Sequence, residues 1–361
     1  MKHFLRLSIL LLSLQILTST NANAQQSTNA QRSTNAQQST NATIPTLKAK
    51  EPTELFRFFF DDDYFNFSGR GTDRAYSAGT RLEVFYKENK PSHFFLDRAM
   101  PKAGDSSVNV FGWGMMQIMI TPDNISRADF QPNDYPWSGA LFATHTLYSY
   151  NEQKKYDLQT ELDMGILGPA ALAGETQDYV HRMIHYRRPM GWDNQFGNSP
   201  YVDVSLTAEK QLLGFQGLVE VIGGGQVVAG TGMNAAAIYS LIRIGKMTPY
   251  FKGFLKQYSS IGSRKKVQFY FIFKPEMQYQ LTNALFEGGL FSSKPSMVVK
   301  TGKSTQVETY HLLNPVLYSF TFGPALVINH FTISSTQTSI TRYLKGLYDH
   351  TYGNVTLYYS W

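Results

Sequence analysis

The chain has 361 residues with no cysteine, and its 33 Lys and Arg against 27 Asp and Glu give a formal net charge of +6. Only 17% of the residues are charged, against about a quarter in an average soluble domain, while 14% are aromatic. The lack of cysteine excludes a disulfide scaffold, a Cys-ligated zinc site and a thiol nucleophile, and the dispersed basic excess gives no reason to expect a nucleic-acid partner.

The first 50 residues predict an export signal followed by a tether. Lys2 and Arg6 precede an apolar stretch over 5–17, and small residues follow up to Ala24, which is the pattern of a secretory signal peptide cleaved near Ala24. Residues 25–42 repeat a polar six-residue unit that buries too little apolar surface to offset the entropy of ordering, so a six-residue β-helix is disfavoured. The signal peptide, the tether and the folded domain therefore span 1–24, 25–50 and 51–361.

From residue 51 onward the hydropathy alternates with a period of two, which indicates strands with one apolar and one polar face. In 156–166 the even positions carry Tyr, Leu, Thr, Leu, Met and Ile, and the odd positions carry Asp, Gln, Glu, Asp and Gly. Twelve such segments are predicted: 54–61, 76–87, 110–120, 138–150, 156–167, 200–211, 214–224, 236–245, 267–281, 305–320, 322–335 and 352–361.

A soluble β-sandwich would show the same alternation, but three features favour a membrane barrel. Most segments are about as long as a tilted strand needs to be to cross a bilayer. Aromatic residues cluster near segment ends, and the chain stops on Trp361 at the end of an alternating strand. We therefore expect an all-β fold, an antiparallel transmembrane β-barrel of about twelve strands in a bacterial outer membrane.

Strand parity assigns the loops to the two sides of the membrane. If the N-terminus lies in the periplasm, residues 61–76, 121–137 and 168–199 are all outer loops. Residues 88–109 and 246–266 would then be inner connections of unusual length, for which the sequence offers no account beyond misplaced strands or short periplasmic elements.

A short helix is predicted in the third outer loop. Pro169 stands at a first helical position, and residues 170–185 contain few β-branched side chains. Gln177 and His181 are four residues apart and share one face of this helix. His185 and the Arg187-Arg188 pair follow it, either as ordinary loop charge or as contacts for phosphate groups.

The first outer loop opens with three adjacent carboxylates, Asp61, Asp62 and Asp63, between aromatic residues. Such carboxylates repel one another unless a cation or an opposing charge compensates them. Oxygen ligands suit Ca²⁺ before Mg²⁺, but a solvated acidic loop tip explains the same segment equally well. Because this loop and the predicted helix lie on the same rim, a cation and a histidine base could share one pocket.

Together these motifs resemble the LpxR lipid A 3'-O-deacylase family over roughly residues 55 to 210, in an order that is specific although each motif alone is weak. The matching residues are Asp61-Asp62-Asp63-Tyr64-Phe65, Thr72-Asp73-Arg74, Tyr76-Ser77-Ala78-Gly79, Gln117, Thr121-Pro122, Asp134-Tyr135-Pro136-Trp137-Ser138-Gly139, Gly165, Gly168-Pro169, Gln177, His181, Gly191-Trp192 and Gln195. The resemblance implies a twelve-stranded barrel that removes the 3'-linked acyloxyacyl chain of lipid A at a Ca²⁺-dependent site between the barrel wall and an outer-loop helix.

Carried over residue by residue, the resemblance implies five site residues. His181 would be the general base that activates water, and Ca²⁺ near Asp63 would stabilise the oxyanion. Asp62 and Ser77 would join Asp63 around the metal, and Gln177 and Ser77 would orient substrate, metal or water. The implied partners are lipid A or lipopolysaccharide and membrane lipids, and we expect a monomer.

The sequence departs from the family pattern at three positions. Asp62 stands where the family has Asn, which adds a negative charge beside the proposed metal. Ser77 stands where the family has Thr and keeps the hydroxyl, and Tyr135 stands where many members have Arg. These departures leave an alternative open, in which a catalytically altered barrel serves as a structural or lipopolysaccharide-binding protein. A passive pore is a third hypothesis, and a barrel interior filled by side chains would argue against it.

Overall fold

The structure, a computed structural model, describes residues 51–66, 73–87, 94–261, 266–290, 298–301, 304–307 and 312–361. The predicted signal peptide (1–24) and tether (25–50) lie outside the described residues, as does Thr72 of the family-like motifs.

Twelve strands of the described chain close into one antiparallel barrel, and a separate two-stranded hairpin follows the ninth of them. The barrel closes where the first and last strands pair, from Leu55 opposite Ser360 to Asp62 opposite Gly353. In chain order the strands are β1 (Glu54–Asp62), β2 (Ala75–Lys87), β3 (Val108–Thr121), β4 (Ser138–Asn151), β5 (Tyr156–Leu167), β6 (Ser199–Phe215), β7 (Val219–Gly230), β8 (Met233–Lys246), β9 (Val267–Asn283), the hairpin strands β10 (Val298–Thr301) and β11 (Ser304–Val307), β12 (Val316–Ile328), β13 (Phe331–Ile340) and β14 (His350–Ser360). The predicted fold class and strand number are confirmed.

The helices are short and lie in the connections between strands. They are α1 (Phe95–Ala99), α2 (Ala173–Ile184), α3 (Phe254–Gln257) and α4 (Ala284–Glu287). The predicted outer-loop helix is α2, preceded by a 3₁₀ turn at Pro169–Ala171. No helix in the described ranges is long and apolar enough to cross a membrane.

Two predicted turns were wrong. The break predicted near residue 212 lies at Gln216 and Gly217, which both have positive φ angles, so β7 begins and ends later than the predicted 214–224. The break predicted at residue 321 lies at Asn329, so the predicted 305–320 and 322–335 become β12 and β13. In both regions apolar residues continue on both sides of the actual turn, so the hydropathy pattern does not mark it. The residues with positive φ are Gln216-Gly217 in one turn and Asn329 in the other, and neither turn contains the Asn-Gly or Asp-Gly pair that is typical of a tight hairpin.

The strands place charged side chains inside the barrel and apolar side chains outside. Inside β1 and β2, Arg57 pairs with Glu83, and Arg81 pairs with Glu161 of β5 at 2.5 Å. On the outer face, Trp113 and Met164 are about half exposed, as expected where a strand meets lipid.

The long connection after β8, unexplained by the sequence, is described over 247–261, and these residues fold into the barrel at the end where β1 begins, here called the inner end. Phe254 stacks on Tyr148 with ring centroids 4.2 Å apart, and Tyr258 stacks on Tyr358 at 4.0 Å. Tyr148 and Tyr358 point from the wall into the lumen, and Phe254 and Tyr258 fill it; the segment that carries these two residues is called the plug. Arg243 and Glu220 form a buried ion pair at 2.9 Å beside this segment. The lumen is thus filled at its inner end, which argues against the passive-pore hypothesis.

Candidate active site

Helix α2 lies against the outer face of the barrel wall, at the end of the barrel where β1 ends, here called the outer end. Gln117, which points outward from β3, donates a hydrogen bond from Nε2 to the carbonyl of Ala171 at 2.7 Å. Gly139 of β4 lies so close to the helix that a Cβ at this position would be 2.3 Å from the Cβ of Ala173. The glycine therefore allows the helix to sit directly on the wall.

An apolar cluster fastens the helix and the loop after it to the wall. Trp137 and Trp192 meet with ring centroids 5.1 Å apart, and both are buried. The cluster comprises Met119, Ile125, Trp137, Ala173 and Trp192. Because these side chains lie outside the barrel, the site they support is on the lipid-facing side of the wall and not in the lumen.

His181 is buried beneath α2 with both ring nitrogens engaged. Its Nδ1 donates to the carbonyl of Arg187 at 2.5 Å, and its Nε2 lies 3.2 Å from Oδ1 of Asp73. A carbonyl can only accept, so the proton of the neutral ring belongs on Nδ1, and Nε2 faces the carboxylate. Burial lowers the pKa of His181, but Asp73 and the Arg187 carbonyl raise it by more, and the pKa is above that of an ordinary histidine.

Gln177 links Asp73, the carboxylate that faces His181, to the apolar cluster. Its Oε1 accepts from Nε1 of Trp192 at 2.8 Å, and its Nε2 donates to Oδ1 of Asp73 at 3.3 Å. The chain of contacts Trp192, Gln177, Asp73 and His181 therefore fixes the carboxylate that faces the imidazole. Asp73 was missed as a site residue by sequence reasoning, which saw it only as part of the Thr72-Asp73-Arg74 motif.

The three consecutive aspartates do not share one environment, because a strand points successive side chains to opposite faces. Asp61 points into the barrel and accepts hydrogen bonds from Tyr76 Oη at 3.0 Å and Asn354 Nδ2 at 2.8 Å. Asp62 turns outward, and its Oδ1 accepts from the backbone N–H of Tyr64 at 2.7 Å. The strand thus assigns Asp61 to the lumen and leaves Asp62 on the side of α2.

Asp63 begins the 3₁₀ turn after β1 and is 2% exposed. Its Oδ2 accepts from the backbone N–H of Arg74 at 2.9 Å. Burial, followed by the charges of Asp62 and Asp73, raises the pKa of Asp63 well above its ordinary range. Asp62, Asp63 and Asp73 are therefore close enough to repel one another.

Ser77 lies next to these carboxylates along the backbone but does not contact them with its hydroxyl. The pairing between β1 and β2 ends with Asp62 opposite Ala78, so Asp63 follows the last paired residue of β1 and Ser77 precedes that of β2. Ser77 is also the extra residue of a bulge between β2 and β3, and its Oγ shares a hydrogen bond with Oγ1 of Thr121. Bulges of this kind redirect a side chain next to functional sites.

The residues around Asp63 fit Ca²⁺ by ligand type and charge. Among the described residues, no group of three or more His, Asp and Glu side chains converges closely enough to enclose a metal ion. Ca²⁺ also takes backbone carbonyl, hydroxyl and water oxygens, which the strand end and the 3₁₀ turn can offer beside Asp62, Asp63 and Ser77. The mutual repulsion of the buried carboxylates supports a cation at this position.

Comparison with known proteins gives one family. The family model described as "Outer membrane protein LpxR" matches residues 10–361. The structure of LpxR from Salmonella typhimurium is similar to this chain with a TM-score of 0.64 and 16% sequence identity, covering 85% of this chain and 100% of that one. No curated protein is similar enough in sequence to be matched.

Two autotransporter barrels are more distant matches. The β domain of the Bordetella autotransporter BrkA gives a TM-score of 0.42 at 9% identity, covering 86% of this chain and 100% of that one. The translocator domain of NalP from Neisseria meningitidis gives 0.38 at 9% identity, covering 86% and 89%.

Proposed function

The chain belongs to the LpxR family of outer-membrane proteins, and on this premise we propose that it is a lipid A deacylase, a carboxylic ester hydrolase that acts in the outer leaflet. The bond we propose is the 3'-linked acyloxyacyl ester of lipid A, with Ca²⁺ as cofactor. The observation that carries the proposal is His181 on the buried face of α2, with Nε2 3.2 Å from the carboxylate of Asp73 and Asp62 near enough for its charge to act on the ring.

His181 is the proposed general base, and Nε2 is the atom that takes the proton from water. The Arg187 carbonyl holds the other proton on Nδ1, so the lone pair of Nε2 points toward the carboxylates and toward any water among them. When Nε2 accepts the proton, Asp73 stabilises the imidazolium that forms, and Gln177 keeps Asp73 in place.

Asp62, Asp63 and Ser77 are the proposed metal site. When bound there, Ca²⁺ supplies Lewis-acid stabilisation of the charge that develops on the carbonyl oxygen of the ester. The Arg74 N–H fixes the orientation of Asp63 by holding Oδ2. Asp62, where the family has Asn, brings one more negative charge, which favours tighter cation binding.

The position of the site on the wall supports a membrane lipid as substrate. A soluble ester would reach a site in the lumen, but the candidate site lies under α2 on the outer face of the wall, and the lumen is filled at its inner end by Phe254 and Tyr258. A lipid in the outer leaflet can approach this face laterally without leaving the bilayer.

Mass spectrometry of lipid A tests the proposal. Cells that make the protein should yield lipid A that lacks the 3' acyloxyacyl group, and cells without it should not. If both lipid A spectra are the same while the protein is folded in the membrane, the deacylase proposal is wrong. Ca²⁺-dependent binding of lipopolysaccharide without acyl release would favour the alternative of a binding protein.

Replacing Gly139 with valine should lower the activity by about 10²-fold, because a displacement of about 1 Å at a catalytic group can cost that much. The new side chain would overlap Ala173 and lift α2, with Gln177 and His181, away from the wall. The measurement is the initial rate of lipid A deacylation in purified membranes, with the heat-dependent gel mobility of the barrel as a check of folding.

The matched control is Gly225→Val on β7, which also lies in the outward row of the wall. A Cβ there meets only the Ala237 carbonyl oxygen, at 3.6 Å, so it fits without displacement. Equal rates in the two valine variants would show that the seating of α2 on the wall is not needed for the reaction.

A further inference from the structure

Helix α2 exposes two unlike flanks on either side of its buried face. One flank is apolar, with side chains that recur every three or four residues and therefore line up along the helix. Tyr179 is 58% exposed and Met183 59%. The apolar flank consists of Leu172, Thr176, Tyr179, Val180 and Met183.

The opposite flank is polar and carries ion pairs. Asp178 pairs with Arg188 at 2.8 Å and with Arg182 at 3.2 Å, and Glu175 is exposed beside them. The buried face between the two flanks carries Gln177 and His181. Helix α2 therefore separates an apolar surface from a charged one, with the candidate active site between them.

The apolar flank lies next to the lipid-facing wall of the barrel. Gln117, which contacts the start of the helix, follows Met115 and Trp113 in the same outward row of β3. Met115 and Trp113 are both about half exposed and apolar, as is Met164 on β5, which is separated from β3 by β4. Exposed side chains of this size, continuous with the apolar belt, are not expected to face water.

We propose that the apolar flank of α2 is a lipid contact that inserts among the acyl chains of the outer leaflet, while the charged flank faces the headgroups. The occupant of this surface is lipid hydrocarbon. A helix of 12 residues with one apolar and one charged flank has the character of an interfacial helix, which lies in the membrane plane and does not span it. The opposed flanks fix how the helix is rotated about its axis.

This contact sets the depth of the candidate active site. Because Gln177 and His181 lie between the two flanks, they stand at the boundary between acyl chains and headgroups. That boundary is where the ester bonds of a membrane lipid lie. The inference concerns the membrane contact alone and does not require that the ester be cut.

Single-cysteine labelling tests the proposal, because the natural chain has no cysteine to compete for the label. The full chain, with Tyr179→Cys or Met183→Cys carrying the fluorophore NBD, is reconstituted in phosphatidylcholine vesicles. A fraction of the lipids bears a nitroxide on carbon 5 of an acyl chain. Asp178→Cys, on the charged flank and bearing the same label, is the matched control.

Quenching by the nitroxide lipid is expected to be at least about twofold stronger at positions 179 and 183 than at 178, because an interfacial apolar face penetrates about 5 to 10 Å. Iodide in the aqueous phase should quench in the reverse order. Equal nitroxide quenching at the three positions would overturn the proposal. Self-quenching that grows with protein concentration, in place of lipid quenching, would also overturn it and point to a second copy of the chain.

The same labels should be measured in a His181→Ala background. Unchanged lipid quenching is expected there, because His181 lies on the buried face. The labelling experiment can therefore contradict the proposed membrane contact without contradicting the proposed deacylation. The lipid A measurement can likewise contradict the deacylation without contradicting the membrane contact.

Discussion

Replacing His181 with alanine is expected to lower the rate of lipid A deacylation by about 10²- to 10⁴-fold, the usual contribution of a positioned general base. The variant removes the Nε2 atom that faces the carboxylates and leaves Asp73 with Gln177 as its remaining neighbour. The barrel should still fold, because His181 lies in a loop helix outside the wall. The measurement is single-turnover conversion of lipid A in membranes that contain equal amounts of folded protein.

The control for a lost histidine is His330→Asn, between β12 and β13 at the inner end of the barrel. The Nδ1 of His330 donates to the carbonyl of Ser360. Ser360 pairs with Leu55 near the start of β1, so His330 lies at the opposite end of the barrel from the candidate site. This variant should keep the wild-type rate. A rate for His181→Ala equal to that of His330→Asn would remove His181 from the mechanism.

The architecture was predictable because strands in a barrel wall have one lipid face and one interior face. Over 156–167 the predicted strand and β5 coincide, since apolar and polar residues alternate without interruption. The alternation fails as a guide where glycine and small residues fill both faces, as in β7, where Gly223, Gly224 and Gly225 follow one another. There only the turn fixes the register, and the Gln216-Gly217 turn is a weak signal.

The plug could not be predicted from periodicity. The segment that contains Phe254 and Tyr258 has neither a strand period nor a long helix, and its aromatic side chains acquire their role from a barrel interior that the local sequence does not describe. The hydrogen bond between His145 and Asp97, at 2.6 Å, joins α1 to the wall, and it also links residues that no sequence period relates. Both contacts depend on tertiary neighbours.

The candidate site was predicted in part. The spacing of Gln177 and His181 and the outer-rim position of Asp62 and Asp63 follow from helix and strand periods, and the structure brings these residues to the same side of the wall. The contact between Asp73 and His181 joins residues 108 positions apart across two loops, and no period relates such residues. The sequence groups Asp61 with Asp62 and Asp63. Because side chains alternate between the two faces of a strand, Asp61 points into the lumen and Asp62 points to the side of α2.

Replacing Asp63 with asparagine is the second decisive change and should lower the rate by at least about 10²-fold, as does the loss of one group that stabilises an oxyanion. Asparagine keeps the shape and can still accept from the Arg74 N–H, but it removes the charge of a buried carboxylate. Chelation of Ca²⁺ should abolish the wild-type activity, and added Ca²⁺ should restore it. In the variant, much higher Ca²⁺ should be needed, because affinity falls with each lost charged ligand.

Asp61→Asn is the matched control, since it makes the same change two residues earlier, on β1, whereas Asp63 begins the 3₁₀ turn after that strand. Asp61 faces the lumen, on the other side of the wall from α2, and an asparagine there can still accept from Tyr76. We expect this variant to keep both its rate and its Ca²⁺ requirement. If both variants lose activity to the same extent, the effect is one of strand stability and the assignment of Asp63 to the metal is wrong. If only Asp63→Asn shifts the Ca²⁺ dependence, the end of β1 and the 3₁₀ turn after it have separate functions, since Asp61 serves the fold and Asp63 binds the cation.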